Sequence, residues 1–295
     1  MAGEAEQQLQ AYVEYFRDLG VHDFYRRGEP VIAEASVEAA VPAAQVIAAA
    51  PELREAAAVI EPDQSPAFPR PAFLEPPIAK LVSFDDLAPL PEIRVAPAHK
   101  ADALIAIKED IGDCTRCPLA YAGRRTIVFG EGDPNARLMF VGEGPGADED
   151  TSGRPFVGKA GQLLNNMIQA MGLQREQVYI ANIVKCRPPG NRTPEPVEAN
   201  TCDQFLLQQI DVIQPEVVVA LGSTAATYLL GVKQSLSALR GHWLKCRGAK
   251  LAVTYHPAFL LRDPRMKAEA WKDLQMVMKQ MGLKAPAKAS TSPAE

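Results

Sequence analysis

Residues 100–282 predict an α/β domain of three layers, with helices on both faces of a mostly parallel central sheet. Three observations carry this. Short apolar runs recur at Leu138–Val141, Tyr179–Val184, Val217–Leu221 and Leu251–Tyr255, each too continuous for a strand with one wet face. Helix-period stretches separate them, at Ala160–Met171, Pro196–Ile213, Ser223–Leu230 and Arg265–Met281. Glycine or proline punctuates the exits of several runs.

In chain order, Leu9, Tyr12, Val13, Phe16 and Leu19 share a helical face over residues 5–19, a short amphipathic helix suited to another protein. Residues 28–99 are rich in Ala, Pro and Glu, and twelve prolines fall in the first 99 residues. A chain so interrupted reads as a mostly disordered leader and linker over 1–99, with a helix near Pro51–Ile60. Leu104, Ile105, Ile107 and Ile111 then form a helix that opens the folded domain near Ala101 and delivers Cys114 and Cys117. The tail, 283–295, is low in apolar content and reads as disordered.

Charge is uneven along this division. Residues 1–99 hold 7 Lys/Arg against 16 Asp/Glu, whereas residues 100–282 hold 22 against 19. The net −5 therefore hides a mildly basic domain behind an acidic leader, and nucleic acid stays open as a partner. No apolar run reaches the roughly 18–20 residues that span a bilayer, and the polar start MAGEAEQQLQ is unlike a secretory signal. Five cysteines, two in a C-x-x-C, point to a reduced, cytoplasmic setting where thiols bind metal more often than they pair.

The strand Leu138–Val141 runs into a loop of Gly, Pro, Asp and Glu that carries Glu143, Asp148, Glu149 and Asp150, and a helix follows. Strand, glycine-rich loop and helix mark a ligand site at the carboxyl edge of an α/β sheet. The spacing is neither G-x-G-x-x-G nor a P-loop, and the carboxylates disfavour phosphate, so a polar uncharged group is the expected target. Asn182 interrupts an apolar strand with a donor and an acceptor side by side, matching the edge of an amide-like heterocycle such as uracil; a cross-strand structural amide is the competing reading. His256 follows the strand Leu251–Tyr255 at the same sheet edge. Phe156 stands in a polar loop, where it either packs in the core or stacks on a flat base.

Cys114, Cys117, Cys186 and Cys202 make an all-sulfur donor set, and spacing alone leaves zinc and an iron–sulfur cluster both open. Cys246 is left over and reads as a structural thiol.

Three stretches, GEGPGADEDTSGRPFVGKAGQLL, NIVKCRPPGNRTP and HPAFLLR, together resemble the family 4 uracil-DNA glycosylases, the iron–sulfur branch of that superfamily. The resemblance runs from about Ala101 to Gly282. It implies the uracil-DNA glycosylase fold and a monofunctional enzyme that flips uracil out of single- or double-stranded DNA and hydrolyses its N-glycosidic bond. It implies a [4Fe–4S] cluster on Cys114, Cys117, Cys186 and Cys202. Glu143 and Gly144 would wall the uracil pocket, Glu149 would handle the attacking water, with Glu143 beside it as a second catalytic carboxylate, and Phe156 would stack on the base. Asn182 would read the base edge, and His256 would contact the uracil O2. Ala258 to Arg262 would enter the duplex, with Leu260, Leu261 or Arg262 as the wedge. Lys185, Arg187, Arg192 and Arg262 are candidate phosphate contacts. The expected assembly is a monomer in the cytoplasm at the nucleoid.

Two departures stand out. Gly144 occupies a position where the family often has Ala, and residues 186–194 lack the basic insertion and histidine of a related branch that traps its product covalently, so turnover is expected. Two other readings remain: a non-cleaving DNA-binding module of the same fold, and a zinc-bearing α/β domain that binds a protein through residues 5–19.

Overall fold

The computed structural model describes residues 81–284, so the expected helices at 5–19 and near Pro51–Ile60, and the chain beyond Lys284, lie outside the described residues. Six strands form one sheet: β1 (Glu131–Gly132), β2 (Leu138–Gly142), β3 (Tyr179–Asn182), β4 (Val217–Leu221), β5 (Leu244–Cys246) and β6 (Ala249–Thr254). Their spatial order is β1-β3-β2-β4-β6-β5. The inner strands β3, β2, β4 and β6 are mutually parallel, and β1 and β5 add antiparallel edges. The expected parallel core is therefore present, with two short edges that sequence did not announce. At two and three residues, β1 and β5 are too short to carry a period.

Helices in chain order are α1 (Phe84–Leu87), α2 (Lys100–Ile111), α3 (Ala147–Ser152), α4 (Lys159–Ala170), α5 (Pro196–Ile213), α6 (Ser223–Leu230), α7 (Leu236–Leu239), α8 (Pro257–Arg262) and α9 (Lys267–Met281). Because strand side chains alternate, β2 sends Met139 and Val141 to one face and Leu138 and Phe140 to the other. The first pair joins Val218, Ala220, Leu251 and Val253 against Leu104 and Ile107 of α2 and Phe205, Leu206 and Ile210 of α5. The second joins Val217, Val219 and Ala252 against Leu164 and Ile168 of α4 and Leu274 and Val277 of α9. Burial on both faces explains why these strands read as unbroken apolar runs.

Packing begins before Ala101. Ser83 caps α1, and Phe84 is fully buried in the core beside α6. Arg247, at the β5–β6 turn, is buried and reaches back to this segment. Its guanidinium donates to the carbonyls of Phe84 (3.3 Å), Pro89 (3.0 Å) and Ala88, and pairs with Asp211. An isolated S-F-D-D-L stretch beside prolines looks like linker; what fixes it is an arginine about 160 residues away. At the other end, Leu283 packs against the α4/α9 core.

Phe84→Ala is expected to lower the unfolding free energy of the full chain by about 3–5 kcal/mol, the cost of emptying a buried aromatic site. Urea denaturation measures it. An unchanged midpoint would show that residues 81–90 are not part of the cooperative fold.

Candidate active site

The carboxyl ends of β2, β3, β4 and β6 converge on one cavity of about 810 Å³. Loops leaving parallel strands at one edge gather side chains from distant sequence positions. Glu143 and Gly144 come from the exit of β2, Asn182 from the end of β3, and Tyr255 and His256 from the exit of β6; Glu149 and Phe156 come from the loop region between β2 and α4, and Arg262 from α8.

Phe156 and Asn182 meet at Gly142, the last residue of β2. A Cβ there would lie 2.4 Å from Asn182 Oδ1 and 2.5 Å from the Phe156 ring, so only glycine lets the two side chains close over the strand end. Phe156 itself has φ 51°, a left-handed conformation that costs a residue with a side chain about 1–2 kcal/mol. Two clamps hold it. Arg175 donates to the carbonyls of Pro155 (2.5 Å) and Phe156 (3.2 Å) and to Asn165 Oδ1 (2.9 Å). On the following residues, Glu149 Oε1 accepts from the amides of Val157 (2.9 Å) and Gly158 (3.1 Å), while Oε2 accepts from Gly146 (3.1 Å). At the start of α4, Gly161 leaves room for the Phe156 carbonyl, which a Cβ would approach to 1.9 Å.

Asn182 is only 1% exposed, and its Oδ1 has no hydrogen-bond partner among the described residues. A buried acceptor left unpaired costs about 1–3 kcal/mol, which a ligand N–H would recover. Next along, Lys185 is equally buried, so the expected phosphate contact is corrected: its ammonium donates to the Asn182 carbonyl (3.0 Å) and Gln209 Oε1 (2.6 Å).

His256 caps α8, its Nδ1 accepting from the amide of Ala258 at 3.1 Å. That bond assigns the imidazole proton to Nε2. Burial, with Arg262 adding to it and Glu149 opposing, pushes the imidazole down to about 4. At neutral pH the ring is therefore an uncharged Nε2–H donor on the cavity wall, 5.6 Å from the Phe156 ring between centroids.

The carboxylates divide by partner. Asp150 is buried on the amides of Arg125 and Thr126, and both oxygens of Glu149 are engaged on backbone. Glu143 lines the cavity, and its carboxylate makes no hydrogen bond or ion pair among the described residues. Of the expected wedge, Leu260 is corrected: it is 1% exposed, turned into the core by the helical pitch of α8. Leu261 is 43% exposed, and Arg262 lines the cavity. Arg192, also on the wall, is held by Glu198 at 2.6 Å, and Arg187 by Asn191 at 2.7 Å.

Cys114, Cys117, Cys186 and Cys202 line a second, small cavity between the exit of α2, the exit of β3 and α5. Arg124 donates to Cys186 Sγ and the amide of Lys185 to Cys202 Sγ, each at 3.3 Å. Among the described residues, no three His, Cys, Asp or Glu side chains converge on a single-ion site. The four thiols surround a space, and their all-sulfur character and N–H donors fit a thiolate-held cluster. Cys246 is buried in β5, as a structural thiol would be.

Sequence reasoning overlooked Gly142, Arg175 and Gln209. A glycine closing an apolar strand was a visible signal for the first. Nothing local marks the other two.

The family model of the uracil DNA glycosylase superfamily matches residues 129–275. The chain is 50% identical over 161 residues to a type-4 uracil-DNA glycosylase of Thermotoga maritima, covering 53% of this chain and 82% of that protein. It is 43% identical over 178 residues to the type-4 uracil-DNA glycosylase of Pyrobaculum aerophilum, covering 58% and 90%. A type-5 uracil-DNA glycosylase of the same organism is 29% identical over 180 residues, covering 50% and 78%.

The His256 ring is expected to titrate in an NMR experiment with a midpoint of about 4. Its folded value lies below the ordinary 6.5, so the stability tied to the neutral ring is complete above 6.5 and declines as pH falls toward 4. A midpoint near 6.5 would mean that the ring is not held neutral.

Proposed function

This chain belongs to the type-4 uracil-DNA glycosylases, and from that membership and its site we propose that it excises uracil from DNA by a residue assignment built on the orphaned amide of Asn182. It is a DNA-repair glycosylase, a hydrolase of N-glycosidic bonds.

Uracil presents N3–H and O4 side by side, and the Asn182 amide offers the matching acceptor and donor. Cytosine reverses that pattern, leaving the buried Oδ1 unpaired, which is a large penalty for the wrong base. The Phe156 ring, fixed by its clamps, stacks on the flipped base. His256 Nε2–H donates to O2 of the base, and Glu143 holds a water.

As the N1–C1′ bond breaks, its electron pair leaves with uracil and the sugar becomes cationic. A donor aimed at O2 stabilises the developing anion, and because the ring is neutral it does so without surrendering its proton. The Glu143 carboxylate favours the cationic sugar, orients water toward C1′ and takes up the proton as the new C–O bond forms. Uracil leaves as its anion and takes a proton from water on release, Glu143 returns its proton to water, and the other product is an abasic site. Glu149 works through the loop it holds, as the positioning group for Phe156. Leu261 and Arg262 fill the gap left by the flipped nucleotide, and Arg187, Arg192 and Arg262 take phosphates.

Cys114, Cys117, Cys186 and Cys202 would hold a [4Fe–4S] cluster, which when bound cross-links the exits of α2 and β3 to α5. The chain acts as a monomer, in the cytoplasm at the nucleoid, on single- or double-stranded DNA. The amphipathic stretch 5–19 of the acidic leader meets another protein. No helix among the described residues is long and apolar enough to cross a membrane.

The test is incubation of the purified full chain with a labelled uracil-containing oligonucleotide, followed by alkali. Breakage only at uracil is expected without added metal, with the protein showing the visible absorption of an iron–sulfur cluster. His256→Ala is expected to slow excision by roughly 10²-fold, the scale of one lost donor to a developing anion. Intact DNA from folded wild-type protein would contradict the reading and favour a non-cleaving binder. A wild-type rate from His256→Ala would remove that residue from the chemistry.

A further inference from the structure

Lys185 is the least expected side chain near the cavity. It is 1% exposed, and no carboxylate pairs with it among the described residues. A long buried ammonium is costly where a Met of similar length would pack freely. Its bonds show what the charge is used for. Nζ donates to the Asn182 carbonyl at 3.0 Å and to Gln209 Oε1 at 2.6 Å. Gln209 Nε2 in turn meets the Phe129 carbonyl at 3.0 Å and the Tyr179 hydroxyl at 3.2 Å, and this network is buried throughout. From the same residue, the backbone amide donates to Cys202 Sγ, and Lys185 lines the cysteine cavity next to Cys186.

We propose that Lys185 is a positioning residue that ties the base-reading amide of Asn182 to the cysteine site. Its ammonium pins the peptide from which the Asn182 side chain springs, and its backbone is anchored on a cysteine sulfur. Thiolates holding a group in the cysteine site would supply negative charge near the ammonium, which has no carboxylate partner among the described residues. Base recognition and integrity of the cysteine site then share one link. This rests on the reading of Asn182 as the group that binds uracil.

Two readouts test it: the rise in Tm that free uracil gives, and a double-mutant cycle on uracil excision. Lys185→Met is expected to keep the iron–sulfur absorption, to lose most of the uracil-induced rise in Tm, and to lower kcat/KM about tenfold, the scale of one hydrogen bond to a charged group. In an Asn182→Ala background the same substitution is expected to change kcat/KM less than about twofold, because coupled residues do not add. Equal losses in both backgrounds, or an undiminished uracil shift in Lys185→Met, would overturn the proposal. Should Lys185→Met not fold, Gln209→Met removes one acceptor of the ammonium outside the cysteine cavity and enters the same cycle with the same expectations. A wild-type protein that is stabilised by uracil yet leaves DNA intact would refute the excision reaction and leave the Lys185 test to be read from the thermal shift. Absence of any uracil shift in wild type would overturn the Asn182 reading and this proposal together.

Discussion

Nothing larger than a hydrogen fits at the side-chain position of Gly142, and the pocket depends on that. This residue ends β2, the strand next to both β3 and β4, so it sits where the two halves of the sheet diverge. Into the space of its missing Cβ come the Asn182 amide from one neighbouring strand and the Phe156 ring from the loop beyond. A ring for the face of a planar heterocycle and an amide for its edge therefore lie within a few ångströms of one backbone atom. The rest of the site keeps them there. Glu149 and Arg175 grip the amides and carbonyls around Phe156, and the unfavourable φ of Phe156 shows that its position is enforced from outside.

The same economy of charge runs through the chemistry. His256 is kept neutral by burial at the amino end of α8, which suits it to donate to an anion while keeping its proton. Glu149 reads from the family resemblance as the carboxylate that handles water, and its oxygens accept from backbone amides, whereas Glu143 and Asp148 line the cavity without such partners among the described residues. Lys185 reads as a phosphate contact and is instead an internal strut. In each case residue type was a sound guide to what the side chain can do. What it could not reveal was which partner had already claimed it.

That is also the line between what was legible and what was not. The parallel core of the sheet could be read because its strands, buried on both faces, leave apolar runs that local sequence displays. Asn182 could be singled out because an amide interrupting such a run needs a partner, and His256 because it follows such a run at its carboxyl end. The edges β1 and β5 fell below the length at which periodicity exists. Phe84 joined the core through an arginine far along the chain, and Leu260 turned inward because the residues expected to enter the duplex form the helix α8. These are tertiary facts, and no window of sequence holds them.

The most direct test of the pocket is a crystal structure of the protein with free uracil bound. The base should lie parallel to the Phe156 ring, with Asn182 Oδ1 at about 2.7–3.2 Å from its N3 and His256 Nε2 at a like distance from its O2. Uracil seated elsewhere in the cavity, with Asn182 Oδ1 still unpaired, would contradict the account at its centre.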